Sequence, residues 1–228
     1  MVNVVRPAEV AVWLVDVTDE RAARHAFTLL PDVERRRLAL LLQPHRRHAT
    51  NAQAALRIIT AAACGGALPL PELARDPNGK PVLTAWGLPM PPHVNLTHSG
   101  ALAAVALTAA GPVGVDIERL DPVSRPDSGD ASDSLAATVL GGLERQQWRD
   151  VPPTARRDVL TRSWTRKEAV LKALGTGLAG DLRSVVTGLA AQPDVADQPA
   201  GAGASAGRVT LSRPAWAVRS HPRATAHS

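Results

Sequence analysis

Aromatic residues are nearly missing from this chain: 228 residues include five Trp, one Phe and no Tyr. Proteins that hold single-stranded nucleic acid stack bases on exposed rings along a basic groove, so this composition argues against that class. The single cysteine, Cys64, excludes an intrachain disulfide and leaves no set of thiolates for a metal cluster. Long apolar runs are lacking too. Val10 to Val15 is apolar, but it is too short for a signal-peptide core and follows no basic start. No membrane span is expected, and cytoplasmic residence is the default. Gly79-Lys80 is followed by proline, so there is no P-loop and no nucleotide hydrolysis by that route.

The chain has an excess of positive charge. Net charge is +5 and the pI is about 10.5, which favours anionic partners: nucleic acid, a polyphosphate cofactor or an acidic protein surface. Hydrophobic content of 45% at this length allows one large domain or two small ones.

The pattern predicts a strand over Val10 to Val17. Helices are expected over Arg21 to Leu30 and Asp32 to Leu42, separated by Pro31 with Asp32 capping the second. A long Ala-rich helix over Arg46 to Ala63 should bury Ala55, Leu56, Ile59 and Ala63 and end at Gly65-Gly66. A Pro-rich, turn-dominated stretch then contains Asp76-Pro77-Asn78-Gly79-Lys80-Pro81. Strands follow over His93 to Thr97 and Ala101 to Leu107, and Gly111-Pro112 leads into a third, Val113 to Ile117. Asp121 to Ser134 reads as a mobile loop, Leu135 to Trp148 as a short helix and Thr154 to Leu174 as a long one. Gln192 to Gly207 is low-complexity and expected to be unstructured. Short strands are expected at Val209 to Leu211 and Ala215 to Val218.

Three features carry chemistry. Asp116 and Glu118 are two apart in a strand-like segment, so both carboxylates should leave one face while Val115 and Ile117 enter the core. Alone, this pair fits a solvated strand end better than a metal site. On the long helix, Leu160, Trp164, Val170, Leu171 and Leu174 form an apolar stripe, with Glu168 and Lys172 four apart along its edge. Lys167 projects from the middle of that stripe and must snorkel out or meet a buried anion. Such breaks of pattern concentrate at functional sites. Third, Asn95-Leu96-Thr97-His98-Ser99-Gly100 puts a histidine at a strand end, and the turn at Gly79-Lys80 offers close backbone approach and a point charge. The basic clusters Arg35-Arg36-Arg37 and Arg46-Arg47 read as solvated helix faces.

In order along the chain, Gly79-Lys80-Pro81, Asn95-Leu96-Thr97-His98-Ser99, Gly114-Val115-Asp116-Ile117-Glu118 and Trp164-x-x-Lys167-Glu168-Ala169-x-x-Lys172 resemble the 4'-phosphopantetheinyl transferases. Spacing and length are similar to the larger, surfactin-synthetase-activating type. That resemblance implies an α+β fold: a monomer of two similar α+β halves in pseudo-twofold arrangement, here residues 1–107 and 108–228, with loops at 121–134 and 192–207. It implies transfer of the phosphopantetheine arm of coenzyme A to a serine of an apo acyl or peptidyl carrier of polyketide or non-ribosomal peptide synthases, releasing 3',5'-ADP. Asp116, Glu118 and Glu168 match the residues that hold Mg²⁺ against the pyrophosphate. Glu168 is also the expected acceptor of the serine proton, and Lys172 the group that neutralises the pyrophosphate. Thr97 and His98 match phosphate contacts, Gly79, Lys80 and Pro81 a coenzyme-contacting turn, and Arg36 and Arg47 contacts to the 3'-phosphate. Neither nucleic acid nor membrane is implied as a partner.

The chain departs from the family pattern in two places. Leu135 to Glu144 lacks the aromatics usual before the glutamate, and little follows Trp216-Ala217-Val218, where another apolar strand is usual. An open sheet edge and altered carrier recognition are the expected consequences. The alternative reading is therefore a non-catalytic or impaired relative that binds coenzyme A or a carrier. A basic nucleic-acid-binding protein is the third reading, but it gives no reason for Asp116, Glu118, Glu168 and Lys172.

Overall fold

The computed structural model describes residues 10–63, 70–85, 91–120, 129–176 and 180–189. The expectations for Gly65-Gly66, most of the 121–134 loop, 192–207 and the two last strands lie outside the described residues. What is described is a mixture of helix and sheet: β1 (Val10–Asp16), α1 (Glu20–Leu29), α2 (Asp32–Ala39), α3 (His45–Ala63), β2 (Glu72–Arg75), β3 (Pro81–Ala85), β4 (His93–Ser99), β5 (Leu102–Thr108), α4 (Gly129–Val139), α5 (Gly142–Trp148) and α6 (Pro153–Leu174). No described helix is long and apolar enough to cross a membrane.

β5 is the centre of an antiparallel sheet ordered β1-β5-β4. Its small side chains Ala103, Ala104 and Ala106, with Val105 and Leu107, are all buried, so both faces of the strand are covered. α3 lies across the sheet: Leu56 and Ala63 pack with Val94, Val105 and Leu107, and Trp13, Ile59 and Leu96 close the margin. α1 and α2 cover the other side of α3 through Ala26, Leu30, Leu38, Ala49 and Ala54. A separate core joins α4, α5 and α6 through Ala136, Val139, Leu140, Trp148 and Leu160.

Several expectations are corrected. Asp32 is not a cap: Pro31 holds the N-cap position in extended conformation, and Asp32 is the first helical residue, paired with Arg35. Asp19 does cap α1, accepting from the Ala22 amide. The Pro-rich stretch contains a hairpin, β2–β3, too short to show periodicity; Asp76 Oδ1 organises its turn by accepting from the Asn78 and Lys80 amides. Leu135 to Trp148 is two helices, not one. They break at Leu140-Gly141, where the 180–189 segment crosses so closely that a Cβ on Gly141 would stand 2.4 Å from the Arg183 carbonyl oxygen. Residues 129–134, assigned to a loop, start α4. Leu174, assigned to the apolar stripe of α6, is exposed. Gly175 to Gly180 has dinucleotide-fingerprint spacing, but it closes α6 instead of following a strand, so it cannot present a helix N-terminus to a pyrophosphate.

Val113 to Ile117 is extended without being a strand. It runs parallel to β4, and β4 side chains replace the ladder: Asn95 Oδ1 accepts from the Val115 amide at 2.9 Å, Thr97 donates to Asp116 at 2.8 Å, and Ser99 donates to Glu118 at 3.0 Å. On its other side the segment touches α6. A Cβ on Gly114 would stand 1.9 Å from the Ala169 oxygen and 2.4 Å from the Ala173 nitrogen. Backbone lies against backbone there, which requires glycine.

Lys167 resolves as a buried cation with a buried partner. Its ammonium is fully enclosed and bonds Glu144 Oε2 at 2.5 Å, the Leu182 oxygen at 2.9 Å and the Val185 oxygen. Glu144 also accepts from the amides of Gly141, Thr187 and Gly188. The pair locks α5, α6 and 180–189 together, so this break of pattern is structural.

Two predictions follow from these contacts. Removing one partner of a buried ion pair strands the other, at a cost of about 3–5 kcal/mol; Lys167→Met should lower the unfolding free energy in urea by about that amount. Gly114→Ala should push 112–120 off α6 and break the Asn95 bond to the Val115 amide, read as faster hydrogen exchange at Val115, with a loss of stability in thermal melting smaller than that of Lys167→Met.

Candidate active site

Asp116 and Glu168 are buried, and Glu118 is exposed at the rim. The Gly114 contact brings their segments together. Burial pushes the Glu168 pKa up; the Lys172 ammonium opposes that shift, and the neighbouring Asp116 and Glu118 charges add to it. All three carboxylates therefore share one electrostatic environment. Among the described residues they do not form a ready-made ion cage. Two of their buried oxygens, Asp116 Oδ2 and Glu168 Oε1, have no hydrogen-bond partner there.

Lys172 does not pair with Glu168 as helical spacing suggests. Its Nζ bonds Asp116 Oδ1 at 2.5 Å and Thr97 Oγ1 at 3.3 Å, and the side chain is about one-quarter exposed (26%). A cleft of about 230 Å³ opens beside it, bordered by Glu168, Lys172 and Gly175 of α6 and its end, by Asn78 to Pro81 of the hairpin turn, and by Gln53, Arg75, Asn95 and Leu96. The turn is clamped to the end of α6: Lys80 Nζ donates to the Lys172 and Ala173 carbonyls at 2.7 and 3.2 Å, and Asn78 donates to the Gly175 carbonyl at 2.6 Å. Lys80 thereby covers the negative end of a 22-residue helix. Its pKa is lowered by burial, with Asp76 opposing.

A second cationic group lies at the start of α3. Burial lowers the His48 pKa first, and the charges of Arg47, His98 and His45 lower it further against Asp16. Arg47 Nε and His48 Nε2 are buried and lack partners among the described residues. His98 follows Thr97 on β4, so this group adjoins the strand that carries the carboxylate contacts. Arg36 is exposed on α2, and no hydrogen bond or ion pair among the described residues ties it to the site.

The structure thus brings together Asp116, Glu118, Glu168, Lys172 and Thr97, and sets Gly79, Lys80 and Pro81 on the same cleft. Arg47 and His98 share the second group. Sequence reasoning gave no role to Asn95, Ser99 or Gly114, which align the acidic segment, nor to Asn78, Arg75 and Gln53. A signal for the first two existed: Asn95, Thr97 and Ser99 alternate along β4, marking one polar face.

The arrangement suits an anionic ligand, with Lys172 bordering the cleft beside two buried carboxylates. Comparison with known proteins agrees. The 4'-phosphopantetheinyl transferase superfamily model matches residues 112–212. The 4'-phosphopantetheinyl transferase HetI of Nostoc sp. is 30% identical over 173 residues, covering 75% of this chain and 70% of its own length. The 4'-phosphopantetheinyl transferase AcpT of Salmonella typhimurium is 39% identical over 117 residues, 51% of this chain and 56% of its own; AcpT of Escherichia coli is 38% identical over a segment of the same length. None of these relatives is named as surfactin-synthetase-activating. On the match to HetI, with the superfamily model covering the acidic segment and α6, the chain belongs to the 4'-phosphopantetheinyl transferase family of enzymes.

Proposed function

We propose that the protein moves the 4'-phosphopantetheine arm of coenzyme A onto a serine of an apo carrier protein and releases 3',5'-ADP. The observation that carries this reading is the meeting of Asp116, Glu118 and Glu168 with two buried carboxylate oxygens left unbonded. Such oxygens are costly unless satisfied. A hard divalent cation taking oxygen ligands satisfies them, so Asp116, Glu118 and Glu168 would hold Mg²⁺. When bound, the ion draws charge from the pyrophosphate oxygens.

The remaining roles belong to the chain itself. The serine oxygen bonds to the phosphorus of the pantetheine arm as the bond from that phosphorus to the 3',5'-ADP oxygen breaks. The serine proton passes to Glu168, directly or through a water, and the raised pKa of this carboxylate suits it to accept. Lys172 neutralises charge gathering on the departing phosphate. Gly79, Lys80 and Pro81 present the turn against which the coenzyme lies, while Thr97 and His98 contact its phosphates. Arg47, beside His98 and His48, offers its guanidinium to the 3'-phosphate, and Arg36 adds charge from α2. A basic surface steers acidic carriers. The reading extends to carriers of polyketide or non-ribosomal peptide synthases, to a cytoplasmic monomer, and to the larger type with two similar halves related by a pseudo-twofold axis.

Incubating an apo carrier with coenzyme A and Mg²⁺ should add the mass of one phosphopantetheine, seen by mass spectrometry. Glu168→Gln should slow that conversion about 10²–10⁴-fold with the fold retained. An unchanged mass across several carriers would leave a binding relative instead. A second outcome concerns pH. The folded protein holds the Glu168 proton more tightly than the unfolded chain, because burial raises the pKa above 4.5. The associated stability is present below that value and is lost as pH rises through the raised pKa. In divalent-free buffer, melting temperatures of Glu168→Gln should fall less than wild type over that rise, and Mg²⁺ should narrow the difference.

A further inference from the structure

Lys172 is bonded to the acidic group, and its position there conflicts with the ion those carboxylates would take. Its Nζ occupies Asp116 Oδ1 at 2.5 Å, steadied by Thr97 Oγ1 at 3.3 Å. Thr97 also donates to that same carboxylate oxygen. Asp116 therefore has one oxygen doubly bonded by donors and one, Oδ2, left bare. A divalent ion bound at Oδ2 and at Glu168 Oε1 would sit beside an ammonium, in a buried setting where like charges are weakly screened. The ammonium has somewhere else to go, because Lys172 also lines the cleft with Asn78, Gly79, Lys80 and Pro81.

We propose that Lys172 is an internal counter-ion that competes with the divalent metal for Asp116 and moves to the anionic ligand in the cleft. Metal and diphosphate then enter as a coupled pair: the diphosphate draws the ammonium away, and the carboxylate it leaves takes the ion. The inference rests on the proposed function for the identity of the ion and the diphosphate. It adds a role for Lys172 before any bond breaks. It also explains why the acidic group, net −2 once Lys172 is counted, is tolerated in a largely buried place.

The test measures metal binding without turnover. Mn²⁺ serves as the probe, with free Mn²⁺ followed by electron paramagnetic resonance in the full-length protein. Lys172→Met and Lys172→Gln should each bind Mn²⁺ alone about tenfold more tightly than wild type, whereas Lys172→Arg, which keeps the charge, should stay weak. A purely supporting lysine gives the opposite sign, since its loss loosens the site. Equal or weaker Mn²⁺ binding in both neutral variants, with helix content retained by circular dichroism, overturns the proposal. If Asp116→Asn binds Mn²⁺ as well as wild type does in the presence of coenzyme A, the metal assignment itself fails and this inference falls with it. The carrier mass shift judges the transfer reaction separately.

Discussion

At Gly114 the extended segment lies against the backbone of α6 with no side chain between them, and the site depends on that contact. A Cβ there would overlap the Ala169 carbonyl. The closeness sets Asp116 within bonding distance of Lys172 and within the field of Glu168. No sheet ladder holds the segment in place. Its register comes from three β4 side chains, Asn95, Thr97 and Ser99. An extended segment pinned by side chains leaves its carboxylates in line with one polar face, whereas the core face of the sheet remains apolar.

Charge is arranged around that line in alternating zones. The acidic centre sums to −2 (three carboxylates less one ammonium), yet the chain as a whole is +5. Lys80 masks the negative end of α6 on one flank. Arg47, His48, His45 and His98 gather on the other side of β4, close enough to depress the His48 pKa. An anionic ligand complements this sequence of signs. A plain nucleic-acid surface does not, because it needs no buried carboxylates.

Much of the helical frame was legible because α3 and α6 are long enough for periodicity to show, and Gly175 in left-handed conformation closes α6 where the pattern stops. The hairpin β2–β3 was not, since four- and five-residue strands rich in proline and charge carry no alternation to read. The break between α4 and α5 was hidden for a different reason. It is imposed by a distant segment crossing at Gly141, and helix propensity is local. For the site, residue types and spacing pointed to Asp116, Glu118 and Glu168. Their pairing did not follow from spacing. Helical geometry sets Lys172 beside Glu168, but its ammonium bonds Asp116, which the close contact at Gly114 brings against α6.

Lys167 and Lys172 show how structure separates what sequence could not. Both are lysines on one helix, Lys167 in the middle of the apolar stripe and Lys172 at its edge. Lys167 has an acceptor for each of its three protons, and Glu144 accepts four bonds in return. Nothing is left over to meet a ligand. Lys172 makes two bonds and is partly open to the cleft, while the carboxylates around it hold two oxygens with no donor. Saturated polar groups stabilise a fold, because every buried charge is matched. Unsaturated ones destabilise it and are retained where a ligand completes them. By that criterion α6 divides between Lys167 and Glu168: the lysine anchors the helix to the protein, and the next carboxylate lines the cleft with one oxygen left unbonded.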